Sequence, residues 1–460
     1  MKKYFDNRIF IFGFIGIIGL QFIYISKATA NIPLMDYWKY INMFVNKMNE
    51  SGLSFSDIWQ NDGIHRSPLQ FIYFIINVRI FNYNVRVEEF AGIIVMAGTV
   101  LILYKYLGRF VDDIFKKNIY GIIIAIIIFN LNQFEMINEE FALSFSSRMQ
   151  LFLISFIATS IYLSSIDKYK KYTFELGILY ILTVELVGGG YFPAYISTIM
   201  FALIMNYILK YKEQKNNYLF CYLWLSLSLI ISVIIYFHGI SINSQATTFS
   251  EGTIWKYLIN FIIGMIIMLG VSISGFSFSY NTLFIIGLFI FTIYLLSLFI
   301  YFKNKIYEKT YFPLMCYGYT FVVIGLVCLG RFNMYGIDFA YTSRYVCETN
   351  VSLLACVYII SINHNYKAGK ELNGTFFRGK IKNPFLKSAL IIFLIMLLHA
   401  DFLEFQTAPF RKNYNERLIE YAKNIDNVTS EEIALFQCDE EQVRSGIEKM
   451  RRYKLGVFKY

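Results

Sequence analysis

The first residues that could do chemistry lie in the first polar stretch of the chain. Asp36 lies shortly after the predicted end of the first hydrophobic segment and is followed by Tyr37 and Trp38. A carboxylate near a bilayer surface can act as a general base for a hydroxyl or as a metal ligand. The structural alternative is that Asp36 caps an amphipathic helix over 36–48 while the aromatic side chains anchor it at the interface. Both roles are compatible, and we take Asp36 as the candidate base.

A second group follows in the sequence WQNDGIHRSPL at 59–69, which contains Asp62, His65 and Arg66 just before Pro68. Pro is tolerated in the first turn of a helix, so a helix is predicted to begin there. Cations at a helix start are poorly placed for the helix dipole. They are well placed to hold a phosphate at the headgroup level, where an arginine can bind two oxygens at once. The alternative is an ordinary positively charged interfacial loop.

Two further stretches bring acids and arginines to the ends of hydrophobic segments. Glu139 and Glu140 precede one segment, and Arg148 lies in its first turns. An arginine that enters a membrane helix usually faces a partner or a wet cavity, although it can also snorkel to the interface.

Arg331 and Arg344 lie between two later segments and suit an anionic lipid head. The alternative for Arg344 is an ion pair with Glu348 at the i,i+4 spacing.

The elements that position these groups are membrane helices. Of the 460 residues, 57% are hydrophobic and 16% are charged, whereas a soluble protein carries about 25% charged residues. Runs near the roughly 20 residues that span a bilayer recur, so we predict an all-α polytopic membrane protein. Thirteen hydrophobic segments are predicted, near 8–27, 67–82, 88–107, 118–135, 147–165, 173–188, 191–211, 217–238, 255–273, 279–302, 310–330, 344–362 and 385–402.

The distribution of lysine and arginine decides which segments cross. Basic clusters lie at 2–3, 116–117, 167–171, 210–215, 303–309 and 367–382, and such loops are typically cytoplasmic. All six fall on one side only if 67–82 and 255–273 enter and return on the other side. We therefore predict about eleven crossings plus two juxtamembrane or re-entrant helices, with the N-terminus inside and the C-terminus outside. The net charge of +10 then reflects cytoplasmic loops, and no nucleic-acid partner is predicted.

The predicted organisation has two parts. Residues 1–402 form the transmembrane domain, whose first external loop with its juxtamembrane helices covers 31–87. Residues 403–460 form a small extracytoplasmic cap, because their charges roughly balance and helix-forming runs recur. The six cysteines show no zinc or disulfide spacing.

The order of these motifs resembles bacterial GT-C-type polytopic glycosyltransferases, which use polyprenyl-phosphate-linked sugars. The matching stretches are MDYW at 35–38, HRSPL at 65–69, VGGGYF at 187–192 and the pattern R-x4-G-x7-R-Y that begins at Arg331. The resemblance implies a GT-C-like fold in a bacterial cytoplasmic membrane, and it carries the role of the catalytic or metal-coordinating acid over to Asp36. It also implies that the His65-Arg66 stretch contributes to the acceptor or phosphate site. No second acid lies beside Asp36, so no metal ligand is named, and a divalent metal ion stays open as a cofactor.

These features together suggest transfer of a sugar from a polyprenyl-phosphate carrier onto an envelope glycan or a lipid-linked acceptor on the outer face of the bilayer. Asp36 is the expected base, with Glu139 and Glu140 in reserve. The expected substrate- or phosphate-binding residues are His65, Arg66, Arg148, Arg331, Arg344, Tyr37, Trp38 and Asp62. The alternatives are a lipid-linked glycan polymerase or ligase, a flippase or transporter of lipid-linked sugars, and a structural scaffold. A transporter typically places ionisable groups near the membrane centre, where Glu185 is the main candidate acid.

Overall fold

The computed structural model describes residues 2–60, 65–138, 141–214, 218–240, 254–365 and 384–459. Within these ranges the chain is helical throughout, apart from turns and loops, and contains no β-strand. The helices are α1 (Lys2–Ala28), α2 (Tyr37–Asn46), α3 (Phe55–Ile58), α4 (Pro68–Phe81), α5 (Val85–Leu107), α6 (Ile114–Ile128), α7 (Phe134–Ile137), α8 (Ala142–Ser164), α9 (Ile166–Tyr169), α10 (Thr173–Val187), α11 (Phe192–Gln214), α12 (Leu219–Phe237), α13 (Ile254–Ser274), α14 (Tyr280–Lys303), α15 (Phe312–Tyr335), α16 (Val346–Asn365), α17 (Pro384–Lys423), α18 (Ser430–Ala434) and α19 (Glu440–Arg452).

The predicted all-α polytopic fold is confirmed. In the described part of the chain, eleven helices are long and apolar enough to cross a membrane. Each of the thirteen predicted hydrophobic segments corresponds to one of the longer helices. Their outward-facing side chains are large and apolar, as lipid contact requires: Ile94 is 66% exposed, Ile234 is 65% exposed and Phe220 is 75% exposed.

The helix ends define two faces of the bundle. At one end the Tyr106 hydroxyl contacts Ser160 (3.0 Å) and Thr310 (2.9 Å), which joins the end of α5, the end of α8 and the start of α15. The basic clusters at 116–117, 167–171 and 303–309 lie at this end, which we call the basic face. The opposite end carries α2 to α4, α7 and the C-terminal helices, and we call it the loop face.

Helix α4 does not cross the bilayer, as predicted for segment 67–82. It has 14 residues, and both of its ends lie at the loop face. At its start the carbonyl of Arg66 accepts a hydrogen bond from the amide of Gly189 (3.3 Å). In its last turns, the Asn77 side chain binds the backbone of Asn84, and α5 begins at the residue after Asn84.

Helix α13 is long enough to cross, yet both of its ends are tied to the loop-face half. The Tyr257 hydroxyl near its start donates to the carbonyl of Leu329, less than two turns before α15 ends. Near its end, the carbonyl of Ser272 accepts from Asn132, which follows the loop-face end of α6. It packs closely on α14, since a Cβ at Gly287 would lie 1.9 Å from the carbonyl oxygen of Ile266. The predicted return of segment 255–273 to its starting face therefore agrees with these contacts.

Helix α10 has only 15 residues but runs from one face to the other. At the basic face the Thr173 hydroxyl contacts Tyr162 (2.6 Å) at the end of α8 and the Cys221 sulfur (3.5 Å) at the start of α12. At the loop face the carbonyl of Gly189 accepts from Tyr236, near the end of α12 (2.7 Å). With α10 counted and α13 returned, eleven helices cross, and α1 and α17 leave the N- and C-terminal ends on opposite faces.

A second hydrophobic core lies outside the bundle. It is built from the first loop, α4 and the C-terminal helices, and it is separate from the core of the membrane bundle. Trp38 is fully buried there and packs edge-on against Phe436 at a ring distance of 5.5 Å. A Cβ at Gly446 would lie 2.6 Å from the Trp38 ring, so α19 can approach only because this residue is glycine. The C-terminal helices are thereby fastened onto the first loop.

Helix α17 connects this second core to the membrane. It has 40 residues and passes residue 402 without a break. Where it emerges, Arg411 binds Glu404 through two nitrogens, and the Tyr24 hydroxyl donates to the same carboxylate (2.6 Å). Arg411 also stacks on Phe134, with 3.5 Å from the guanidinium to the ring centre. The division into domains at residue 402 stays a prediction.

The topology predicts opposite labelling of two introduced thiols. In a Cys438→Ser background, Glu431→Cys on the C-terminal helices should react with a membrane-impermeant maleimide in intact cells. Lys170→Cys at the basic face should react only after lysis, because basic loops stay in the cytoplasm. Both positions are exposed to solvent. Equal labelling of the two thiols in intact cells would overturn the assignment of the two faces.

Candidate functional site at the loop face

Arg66 joins the start of α4 to the end of α12. Its guanidinium donates to the carbonyls of Ile235 (2.9 Å) and His238 (2.6 Å), and its side chain is buried. Its amide donates to the Tyr236 hydroxyl (3.1 Å), which donates in turn to Gly189. The last carbonyls of a helix lack intrahelical partners and carry partial negative charge, so an arginine satisfies them well. Arg66 therefore ties the start of α4 to the end of α12.

His65 lies against the glycine turn that joins α10 to α11. A Cβ at Gly190 would lie 2.6 Å from the His65 ring, and Gly189 has a positive φ of 49°. Only glycine therefore allows the loop before α4 to pack this closely on the turn. The predicted HRSPL and VGGGYF stretches are brought together by this contact. Asp62 lies outside the described residues.

Glu185 lies one turn before the same glycine turn and was not among the predicted site residues. It is 4% exposed, and neither of its carboxylate oxygens has a hydrogen-bond partner among the described residues. Arg66 is the cation that acts on it electrostatically. A buried carboxylate without hydrogen bonds is costly, which makes it a residue of functional interest. In the sequence, the feature that could have identified Glu185 is an acidic residue inside a hydrophobic segment.

Arg148 forms a buried ion pair with Glu348. Its guanidinium donates to the Glu348 carboxylate, which also accepts from the Tyr319 hydroxyl. The guanidinium is stacked by Phe145 (4.3 Å to the ring centre) and by Tyr191 (4.0 Å). Arg148 thus faces a partner, as expected, and that partner is Glu348, which lies 200 positions later in the sequence. The alternative pairing of Glu348 with Arg344 is not formed.

Arg344 lies nearer the surface. Its side chain is 42% exposed and is 3.6 Å from the Glu135 carboxylate, a looser contact than a hydrogen bond. It also approaches the Gln437 side chain at 3.5 Å. Arg331 lies at the loop-face end of α15, with its guanidinium 5.5 Å from the ring centre of Phe339. Glu135 was not singled out from the sequence, since nothing local marks it as the partner of an arginine 209 residues later.

Asp36 lies at the surface, at the start of α2. Its carboxylate makes an ion pair with Lys39 (2.6 Å) and is 53% exposed, and it makes no capping hydrogen bond to the helix. The adjacent amide of Met35 donates to the carbonyl of Phe436 (3.0 Å). Burial raises the pKa of the neighbouring Cys438 thiol, on which the charges of Asp36 and Lys39 also act. The turn at 436–438 therefore contacts the Asp36 region on one side and Arg344 on the other.

The two aromatic residues after Asp36 are buried in the second core. Tyr37 donates to the Glu88 carboxylate (2.6 Å) and packs edge-on against Phe141 at 4.7 Å. Trp38 packs beneath the C-terminal helices, as described above. Both side chains thus hold α2 in place, and their contact with substrate stays a prediction. Glu139 and Glu140 lie outside the described residues.

The contacts form one continuous path along the loop face. It runs from His65 and Arg66 through the glycine turn to Tyr191, Arg148 and Glu348, and then along the chain to Arg344, Gln437 and the Asp36 region. Within the described ranges, no group of three His, Cys, Asp or Glu side chains could hold a metal ion. The described residues place cations, acids and hydroxyl groups along this path at the loop face.

Comparisons with known proteins give one structural likeness. No family model and no curated protein matches the sequence. Among solved structures, the chain is similar to the archaeal oligosaccharyltransferase AglB from Archaeoglobus fulgidus, in complex with an inhibitory peptide and a dolichol-phosphate. The two are 15% identical with a TM-score of 0.48, and the likeness covers 93% of this chain and 59% of that chain.

The Arg148–Glu348 pair predicts a strong coupling in stability. Arg148→Met or Glu348→Met leaves one buried charge without its partner and should lower the free energy of unfolding by about 3–5 kcal/mol. The double variant removes both charges and should recover most of that loss. The measurement is thermal unfolding of the purified variants in one detergent.

The surface pair Lys412–Glu416 is a matched control, because the double Met variant there should change stability by less than about 1 kcal/mol. If the double variant at 148 and 348 lost as much stability as the two single variants added together, the buried pair would not be coupled.

Proposed function

We propose that this protein is a membrane glycosyltransferase. It moves a sugar from a polyprenyl-phosphate carrier onto a cell-envelope glycan or a lipid-linked acceptor, at the loop face. The observation that carries the proposal is the gathering of arginines and acids at the bilayer edge on the face opposite the basic loops. By the charge rule, that face is the outer side of the membrane.

The reaction needs a cation for the leaving group. As the acceptor oxygen bonds to the anomeric carbon, the carbon–oxygen bond to phosphate breaks and the phosphate leaves with the electron pair. Fixed donors near that phosphate lower the barrier. Arg344 suits this role, since its side chain is 42% exposed and its contact with Glu135 is loose. Arg66 and Arg148 already donate hydrogen bonds to protein groups, so we assign them positioning roles. We assign Arg331 a supporting role beside Arg344 in binding the phosphate.

The reaction also needs a base for the acceptor hydroxyl. Asp36 is the proposed base because its carboxylate is exposed at the loop face. Only the turn at 436–438, between α18 and α19, separates the Asp36 region from Arg344. The proton passes from the acceptor hydroxyl to the carboxylate as the glycosidic bond forms.

A flippase or transporter is the second candidate, and one observation favours it. Glu185 and the Arg148–Glu348 pair are ionisable groups buried in the bundle, which is a feature of transporters. Reconstitution into vesicles with a lipid-linked sugar separates the two. A transporter moves the label across the bilayer, whereas a glycosyltransferase makes a new glycosidic bond.

Removing the proposed base should slow transfer. Asp36→Asn keeps the shape of the side chain but cannot accept the proton, so the rate with a polyprenyl-phosphate sugar should fall by about 10²–10⁴-fold. The assay is product formation in proteoliposomes supplied with the donor and native envelope acceptors. Asp426→Asn is the control, since Asp426 is 84% exposed on the same face and should leave the rate unchanged. Full activity of Asp36→Asn would remove Asp36 from the mechanism.

Substitutions of Arg344 should show whether the phosphate requires the planar fork of guanidinium donors or only a positive charge. Arg344→Ala should lower transfer by about 10²–10³-fold, as expected for loss of one donor to a developing anion. Arg344→Lys should recover part of the rate, because a lysine supplies the charge without the planar fork. The control is Arg417→Ala, an exposed arginine on α17 that packs on tyrosine rings. Equal rates for Arg344→Ala and Arg417→Ala would show that Arg344 does not bind the phosphate.

A further inference from the structure

Glu135 is an acidic residue beside Arg344 that the proposed reaction does not use. It lies in the short helix α7, and its side chain is 26% exposed. Its backbone amide donates to the Ser343 hydroxyl (3.1 Å), and Ser343 directly precedes Arg344 in the chain. This backbone contact holds the Glu135 carboxylate next to the Arg344 guanidinium.

One oxygen of this carboxylate lacks a close donor. Oε2 is buried and has no hydrogen-bond partner among the described residues. The Nε atom of Arg344 lies 3.6 Å from it, which is longer than an ordinary hydrogen bond. Arg411 also acts on Glu135 electrostatically, but its guanidinium donates to Glu404 instead. The charge of Glu135 is therefore not taken up by a hydrogen bond to either arginine.

The terminal nitrogens of Arg344 are the donors best placed for a phosphate, because Nε faces Glu135. One of them approaches the Gln437 side chain only loosely, at 3.5 Å. A phosphate bound there stays on the order of 10 Å or less from the Glu135 carboxylate, the range over which charges interact at moderate salt. Glu135 therefore repels any phosphate that Arg344 binds.

The two carriers that the proposed reaction brings to this place differ in charge. The donor is a phosphodiester with one negative charge, whereas the carrier left after transfer is a phosphate monoester with a charge of about −1.5 to −2 at pH 7. Arg344 alone would hold the monoester more tightly than the donor, and slow release of a product limits the turnover of many enzymes. A fixed acid beside Arg344 repels the monoester nearly twice as strongly as the diester.

We propose that Glu135 selects against the spent carrier. It weakens the binding of a polyprenyl phosphate monoester relative to the sugar-bearing diester, and so promotes release after transfer. This role rests on the proposed function, because it takes Arg344 as the residue that binds the phosphate. Glu135 makes and breaks no bond in the reaction, and its effect is a ratio of two affinities.

That ratio can be measured with two ligands that cannot react. The probes are undecaprenyl phosphate and its methyl diester, which has the charge of the donor but no sugar. Each is titrated into the purified full-length protein in one detergent at neutral pH. Glu135→Gln removes the negative charge and should tighten binding of the diester by about three-fold and of the monoester by about ten-fold, since the second repulsion is nearly doubled.

Three further variants control for charge and for folding. Glu135→Asp keeps the charge and should retain the native ratio, whereas Glu135→Ala removes it and should behave like Glu135→Gln. Glu416→Gln removes an acid that is 54% exposed on α17 and pairs with Lys412, and it should change neither affinity. Thermal unfolding of each variant shows that it is folded. Glu135→Gln is expected to fold, because Oε2 accepts no hydrogen bond from the described residues.

The possible outcomes are distinct. Weaker binding of both ligands in Glu135→Gln would show that Glu135 orients Arg344 for the phosphate, and the proposed selection would be wrong. Equal tightening would contradict it as well, since Glu135 would then only compete for Arg344. Unchanged affinities would show that neither phosphate binds beside Glu135. The unequal change in a protein that forms no product in proteoliposomes would leave the selection standing and defeat the proposed function.

Discussion

The Arg148–Glu348 ion pair is the interaction on which the loop-face half of the bundle depends. It lies within the hydrocarbon-facing helices, where an unpaired charge is expensive, so the helices that bear the two residues must stay together. The pair links α8 to α16, and Tyr319 and Tyr191 add α15 and the start of α11. Four helices from distant parts of the chain are thereby fixed at one depth.

A second constraint applies above the bundle. Helix α4 and helix α13 return to the loop face, and the non-helical backbone at their ends must be covered by protein or water where it lies at membrane depth. Arg66 covers the last carbonyls of α12 at the point where α4 begins, and the glycine turn before α11 allows close approach. The C-terminal helices cover the first loop through Trp38. The loop face is therefore a built layer with its own core, and the surface groups Asp36 and Arg344 lie at its edge.

The arginines of the loop face fall into two groups according to what their guanidinium groups bind. Arg66 and Arg148 are buried and bind protein groups, so they hold helices in register. Arg344 is partly exposed and loosely paired, so its donors can meet a ligand. Residue type is the same in all three cases, and burial and partner decide the role. The same reasoning separates Asp36, which is exposed, from Glu185, which is buried and has no hydrogen bond to any of the described residues.

The sequence by itself determined the elements and their order across the membrane. Apolar runs long enough to span a bilayer marked thirteen segments. The lysines at 116–117, 167–171 and 303–309 indicated which segments return to their starting face, because the positions of basic residues in the loops can be taken directly from the sequence. The tertiary structure alone decided the partners. The pairing of Arg148 with Glu348, of Arg344 with Glu135 and of Arg66 with the end of α12 joins residues 169 to 209 positions apart. Such contacts depend on how helices pack, and no local spacing encodes them.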